Sequence, residues 1–309
     1  MKLATTTCDF AKTRSRAEDR IRGLYDAGFR HIDLSDYNIP ADTARFAGDG
    51  WREEAKKIRY FAESLGMDFV QAHSPGGNPL SRDDKFDALL GTTIRSIEVC
   101  AELGIPQTVV HAGWAPGIGK DEYFERNLEF CRLLFPTMEK TGVMVLVENS
   151  TKANMGDNWY FLTGGEMRDF IDYSGHPLLG AVWDTGHANC EGHQYSDLIA
   201  LGDKLKGVHI HDNRGKLDEH MPIWSGTINM DEVMKGLIDS GYVSRGGVFT
   251  FEVDSTLINA GNWLHRRRAF DGESRLLNPP DEVLVKAEEM LHVTGEYILR
   301  QYGLYEEGD

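Results

Sequence analysis

A carboxylate and an imidazole three residues apart, in Asp184-Thr-Gly-His187, follow directly on the apolar run Leu178-Leu-Gly-Ala-Val-Trp183. Side chains of these types bind divalent cations, and a strand that ends in them delivers both to one mouth. Further runs of strand length end in the same manner: Gln71-Ala-His73, Val109-Val-His111, Leu146-Val-Glu148, His209-Ile-His211-Asp212 and Thr250-Phe-Glu252. One histidine or glutamate at a strand end is ordinarily a hydrogen-bonded rim residue. Several of them brought into one pocket are costly unless a cation joins them, because buried carboxylates and imidazoles need partners. A bound divalent metal is therefore expected.

The elements that would position these groups alternate along the chain. Apolar segments of strand length lie at Leu3–Thr7, His31–Leu34, Phe69–Ala72, Thr108–His111, Met144–Glu148, Gly180–Asp184, Gly207–His211 and Val248–Val253. Between them run amphipathic stretches of helical period, among them Arg16–Asp26, Trp51–Leu65, Phe86–Leu103, Tyr123–Met138, Glu166–Tyr173 and Asp231–Ser240. Several of these end in glycine, as in Ala27-Gly28, Leu65-Gly66, Leu103-Gly104 and Ser240-Gly241. Eight strands alternating with helices imply a parallel sheet closed into a (β/α)8 TIM barrel, in which every strand carries its C-terminus to the same face. An open doubly wound sheet fits less well, since no glycine-rich fingerprint follows the first strand.

Length and composition agree with that architecture. The 309 residues are read as one barrel domain, 1–309, with a long loop at about 255–280 before a C-terminal helix. That loop holds Trp263 and Arg266-Arg267-Arg268. The 41% hydrophobic and 27% charged residues are ordinary for a soluble protein, and no long apolar stretch suggests a membrane span. Met1-Lys-Leu-Ala-Thr-Thr-Thr7 lacks a secretory pattern, and the four cysteines show no paired spacing, so a cytoplasmic protein with reduced thiols is expected. With 33 Lys+Arg against 49 Asp+Glu the net charge is −16, which disfavours nucleic acid as a partner.

The motifs Val147-Glu148-Asn149-Ser150, Asp184-Thr-Gly-His187, His209-Ile-His-Asp212-Asn213, Asp218-Glu-His220 with Ser225-Gly-Thr-Ile228, and Phe251-Glu252 together give the chain a family resemblance. In order and spacing it resembles the xylose-isomerase-like superfamily, which joins sugar isomerases and epimerases with the endonuclease IV type of DNA-repair enzyme. The resemblance covers most of the chain. It implies one metal held by Glu148, Asp184, His209 and Glu252. His209 takes the ligand position because the family's histidine precedes an acidic residue by three places, here Asp212. Strand alternation points His211 inward as well, so the reverse assignment stays open.

Three carboxylates and one imidazole suit Mn²⁺ or Mg²⁺, with Co²⁺ or Zn²⁺ as alternatives, and no organic cofactor is expected. The resemblance further implies that Glu148 and Glu252 are the catalytic pair, removing and returning a proton beside a sugar carbonyl through an enediolate. Substrate contacts are expected from His73, His111, His187, His211, Asp218, His220 and Trp114. The expected partner is a small sugar or sugar derivative, and a homo-oligomer stays open. Two other activities belong to the same superfamily. One is lyase or hydratase chemistry on 3-oxo-glycosides. The other is zinc-dependent phosphodiester cleavage of the endonuclease IV type, whose nine zinc ligands have counterparts in His73, His111, Glu148, Asp184, His187, His209, Asp218, His220 and Glu252.

Overall fold

The apolar runs become eight parallel strands because they are buried on both faces, the condition under which a strand reads as nearly continuous hydrophobic sequence. A computed structural model describes residues 1–11, 13–35, 45–81, 85–157, 159–192, 194–253, 271–272 and 279–306. The strands are β1 Leu3–Thr6, β2 His31–Ser35, β3 Asp68–His73, β4 Gln107–Val109, β5 Met144–Glu148, β6 Leu179–Asp184, β7 Leu205–His209 and β8 Phe249–Thr250. They lie in the order β7-β6-β5-β4-β3-β2-β1-β8, so sequence neighbours pair and the chain winds once around. The gap between β7 and β8 is bridged by Ile210 and Phe251. There the Ile210 N–H donates to the Thr250 carbonyl at 2.8 Å and the Glu252 N–H donates to the Ile210 carbonyl at 3.1 Å.

Around the sheet lie α1 Ala17–Asp26, α2 Trp51–Ser64, α3 Lys85–Leu103, α4 Lys120–Thr141, α5 Lys152–Met155, α6 Gly164–Ser174, α7 Thr185–Glu191, α8 Tyr195–Leu201, α9 Met230–Asp239 and α10 Asp281–Gln301. The glycines read as helix stops at 28, 66, 104 and 241 all have positive φ, between 69° and 107°, which only glycine adopts without strain. No helix among the described residues is long and apolar enough to cross a membrane.

Three strands are shorter than the sequence expectation. β4 stops at Val109 and β7 at His209, so His111 and His211 stand just past the regular ladder, and β8 is only two residues long. The core divides by strand alternation. On β5, Val145 and Val147 join the large apolar layer between sheet and helices, while Leu146 packs inside the barrel with Val109 and Val182. Glu148 shares Leu146's face and sits one layer above it. The loop at about 255–280, with Trp263 and Arg266–Arg268, falls almost wholly outside the described residues.

Candidate metal centre

At the C-terminal mouth the strand ends converge on the ring of His209. Its Nδ1 lies 2.5 Å from Glu148 Oε1, 3.1 Å from Glu252 Oε2 and 4.0 Å from Asp184 Oδ2. The second oxygens of the two glutamates reach other imidazoles: Glu148 Oε2 is 3.2 Å from His111 Nε2, and Glu252 Oε1 is 3.2 Å from His73 Nε2. Donor atoms of His73, Glu148, His209 and Glu252 all lie within 4.8 Å of one another. Asp184 and His209 are fully buried, and His111 is the more open member of the group.

A second donor group adjoins the first. His187 Nε2 is 3.0 Å from Asp218 Oδ2, and His220 Nε2 is 3.2 Å from Asp218 Oδ1. In both rings the far nitrogen is committed to a backbone carbonyl. His187 Nδ1–H donates to Asn149 O at 2.9 Å and His220 Nδ1–H donates to Glu252 O at 2.8 Å. A ring nitrogen fixed in this way leaves the other facing the site, the arrangement that orients metal-bound histidines. His211 joins the two groups. Its Nε2 is 2.9 Å from Asp184 Oδ2 and 3.8 Å from Asp218 Oδ1, and its ring stacks on His220 with centroids 3.9 Å apart.

Local sequence explains the placement. Asp184 ends β6 and caps α7, its Oδ1 accepting the His187 N–H at 2.6 Å. Gly186 must be glycine, because a Cβ there would sit 1.9 Å from the His211 ring. Asn149 follows Glu148 at the end of β5. Its side chain clamps the Asp184 backbone, accepting from the N–H at 2.7 Å and donating to the carbonyl at 2.9 Å. Asp212 accepts the N–H groups of Gly226 and Ile228, which holds the Ser225–Ile228 loop in place.

Burial alone would drive protons off these imidazoles, but the carboxylates outweigh it. Asp33 and Glu252 hold His73 well above the ordinary histidine range, and Glu252 and Glu148 raise His209 to about 10. His187, beside Asp184 and Asp218, and His220, beside Asp218, are raised likewise. Burial would also raise the carboxyls. The imidazoles reverse that, so Glu148, Asp218 and Glu252 all fall well below their usual values. Without a metal the centre is a set of ion pairs.

The donor chemistry fits a divalent cation. His73 Nε2 and Asp218 Oδ1 are buried and each lies 3.2 Å from an opposite partner, yet neither contact has hydrogen-bond geometry. Each belongs to a different donor group, His73 with Glu148, His209 and Glu252, and Asp218 with His187 and His220. The described residues also offer more donors than a single ion needs, in four overlapping groups. The expected histidines and carboxylates thus come together in these groups. Trp114 is half-buried against the apolar core, and its backbone exchanges hydrogen bonds with the Asn78 amide. Trp159 is buried, donating to the Phe161 carbonyl, and Trp224 is exposed beside Tyr297.

Comparison with known proteins agrees with the architecture. The family model described as "Xylose isomerase-like TIM barrel" matches residues 21–272. A probable endonuclease 4 of Citrifermentans bemidjiense is 30% identical over 149 residues, 43% of this chain and 52% of that relative. The match thus spans only about half of that relative's length. Among solved structures, D-psicose 3-epimerase from Clostridium cellulolyticum H10, crystallised with D-tagatose, superposes with a TM-score of 0.73 at 16% identity, covering 97% of this chain and 99% of that one. A 3-keto-D-glucoside 4-epimerase from E. coli gives 0.68 at 18% identity, with coverage of 95% and 99%. At these identities the likeness to the solved structures is one of fold.

Proposed function

This chain belongs to the xylose isomerase-like TIM barrel family, and from that premise we propose that it is a divalent-metal-dependent sugar isomerase or epimerase that moves a proton next to a carbonyl. The observation that carries the reading is the pair Glu148 and Glu252, at 2.5 and 3.1 Å on one ring nitrogen of His209 with Asp184 at 4.0 Å. Glu148, Asp184, His209 and Glu252 would hold the ion, with Mn²⁺ or Mg²⁺ preferred for this oxygen-rich set. When bound, the ion supplies Lewis-acid polarisation of a sugar carbonyl.

The chain's own groups supply the rest. Of Glu148 and Glu252, one carboxylate accepts a proton from the carbon beside the carbonyl. The other returns one only as its carboxylic acid, so it must first take up a proton, for which the imidazoles beside each glutamate are the near source. His187 and His211, on the Asp184 side, would bind substrate hydroxyls, as would His111 beside Glu148 and His73 beside Glu252. Burial of Glu148 keeps bulk water from competing for its proton, while Glu252 is only partly covered. Epimerases of D-psicose and of a 3-keto-D-glucoside share the fold, which supports sugar carbonyl chemistry for this chain.

A second reading is favoured by one observation. The His187–Asp218–His220 group gives a further set of metal-type donors beside the first, and the similarity to a probable endonuclease 4 suggests zinc-dependent phosphodiester cleavage. The net charge of −16 argues against it, since phosphate backbones are held by Lys and Arg.

One experiment separates the readings: metal analysis of purified protein together with solvent-deuterium exchange across free sugars, sugar phosphates and 3-oxo-glycosides. Deuterium beside a carbonyl is the expected result. Loss of the glycosidic substituent from a 3-oxo-glycoside would reassign the chemistry to a lyase or hydratase. Several equivalents of zinc with no exchange and nicking of abasic DNA would replace it with phosphodiester hydrolysis.

A further inference from the structure

Beneath the donor atoms lies a polar layer that the sequence reading left without a role. Asp33 on β2 and Gln71 on β3 are 0% and 1% exposed, deep inside a barrel whose neighbouring interior positions are Leu146 and Val182. Buried polar groups at such a level persist where they hold something in place. Asp33 Oδ2 lies 3.0 Å from His73 Nδ1, and the Gln71 amide nitrogen donates to His209 Nε2 at 2.8 Å. The same amide nitrogen makes a long contact of 3.5 Å to Asp33 Oδ2. Above this pair the His73 and His209 rings stack, with centroids 4.6 Å apart. The four residues therefore close a loop: two stacked imidazoles tied together from below.

The amide imposes a condition on His209. With its nitrogen facing Nε2 the amide suits only a ring unprotonated there, whereas the imidazolium that the flanking carboxylates favour carries a proton on both nitrogens. An Nδ1–H also occupies the lone pair that a cation would need. Half a turn of the amide presents Oε1 to an Nε2–H and leaves Nδ1 facing the three carboxylates. In the present orientation Oε1 is buried and has no hydrogen-bond partner, so the turn sacrifices only the 3.5 Å contact to Asp33. Room for it depends on Gly207 of β7, where a Cβ would come within 2.5 Å of Oε1.

We infer that Gln71 is the positioning residue of His209: its amide, lodged against Gly207, holds the Nε2 side of the ring, accepts from Nε2–H and so leaves Nδ1 facing the carboxylates for a cation. This inference rests on the metal-centre reading above.

The test uses the full chain with histidine ¹⁵N labelling. Nitrogen NMR of the wild-type protein, metal-free and loaded with Mg²⁺ or Zn²⁺, reads the His209 tautomer directly. Protons are expected on both nitrogens without metal and on Nε2 alone with it. Chelator competition with Co²⁺ then compares variants. Gln71→Leu is expected to lose roughly 10–100-fold in affinity, as removal of the group behind a metal-bound histidine does. Gln71→Glu, an obligate acceptor, is expected to keep Nε2–H and restore most of the loss. Wild-type protein that binds no metal would defeat the metal-centre reading itself. Metal binding by the wild type with an unprotonated Nε2 on His209, or a folded Gln71→Leu protein with unchanged affinity, would overturn the role of Gln71 alone. The wild-type spectra decide the matter even where a variant does not fold.

Discussion

At the scale of single residues, the centre couples acid–base chemistry to cation binding through shared oxygens. Glu148 and Glu252 each place one oxygen on His209 and the other on a further histidine, so neither carboxylate is spare. Replacing either by its amide preserves shape and removes the base. Glu148→Gln and Glu252→Gln are each expected to lower kcat by roughly 10²–10⁴-fold with an unchanged far-ultraviolet circular dichroism spectrum. Turnover within a few-fold of wild type would sink the two-carboxylate mechanism. Protons also compete with the cation. His209, held protonated to about pH 10 by Glu252 and Glu148, must release its proton before Nδ1 can coordinate. The raised value fixes the sign: apparent metal affinity climbs as pH rises, about tenfold per unit for each proton displaced, and levels off near pH 10. Titration calorimetry in buffers of different ionisation heat measures the released protons, and an affinity flat from pH 6 to 9 would contradict it.

At the scale of elements, the barrel depends on contacts that bring helices to fixed places on the sheet. Arg45 ties α1 to α2: its guanidinium grips both Glu18 oxygens at 3.0 and 2.8 Å and Glu54 Oε2 at 2.8 Å. The Arg45 hydrogen bonds hold the Glu18 carboxyl down at about 2 although burial would raise it. A lowered value means the stabilisation is fully present above about pH 4.5 and disappears as pH falls through 2. Arg45→Met is therefore expected to cost about 1 kcal/mol near neutrality, after allowance for solvent screening, with the deficit vanishing toward pH 2. Urea denaturation at several pH values would test it, and a pH-independent deficit would assign the effect to packing. The eight strands were legible because burial on both faces leaves continuous apolar runs, and the glycine stops because positive φ excludes other residues. Helix α7 was not legible. Asp184 read only as a ligand, so its second duty as the cap of α7 was hidden, and the helix it starts is just seven residues long. Asp33 and Gln71 escaped for a related reason: inside otherwise apolar strands their polarity has meaning only once strand alternation stacks them under His73 and His209. The nine donors could be named from motif order. Their division into one group around His209 and another around Asp218 depends on the fold of the loop after β7.

At the scale of the whole molecule, charge decides which ligands reach the mouth. A net charge of −16 sets up a field that repels phosphates at long range, and Lys152, Arg214 and Lys216 are exposed but few against it. An uncharged sugar feels no such field. Its kcat/KM should change less than about twofold between 50 and 500 mM salt, whereas a sugar phosphate, repelled at low salt, should gain from screening. Duplex DNA carries the same penalty many times over. An oligonucleotide with an abasic site is expected to bind more weakly than about 10⁻⁴ M at physiological salt and to remain intact with the zinc-loaded protein. Fluorescence anisotropy and a nicking assay measure the two quantities. Tight binding that weakens steeply with salt, accompanied by zinc-dependent nicking, would mean that a local basic surface overrides the global charge. The His187–Asp218–His220 group would then be part of a phosphodiesterase. Weak binding with a salt-insensitive sugar reaction would leave that group as a scaffold for substrate hydroxyls, with Asp218 binding its two imidazoles into one wall of a sugar pocket.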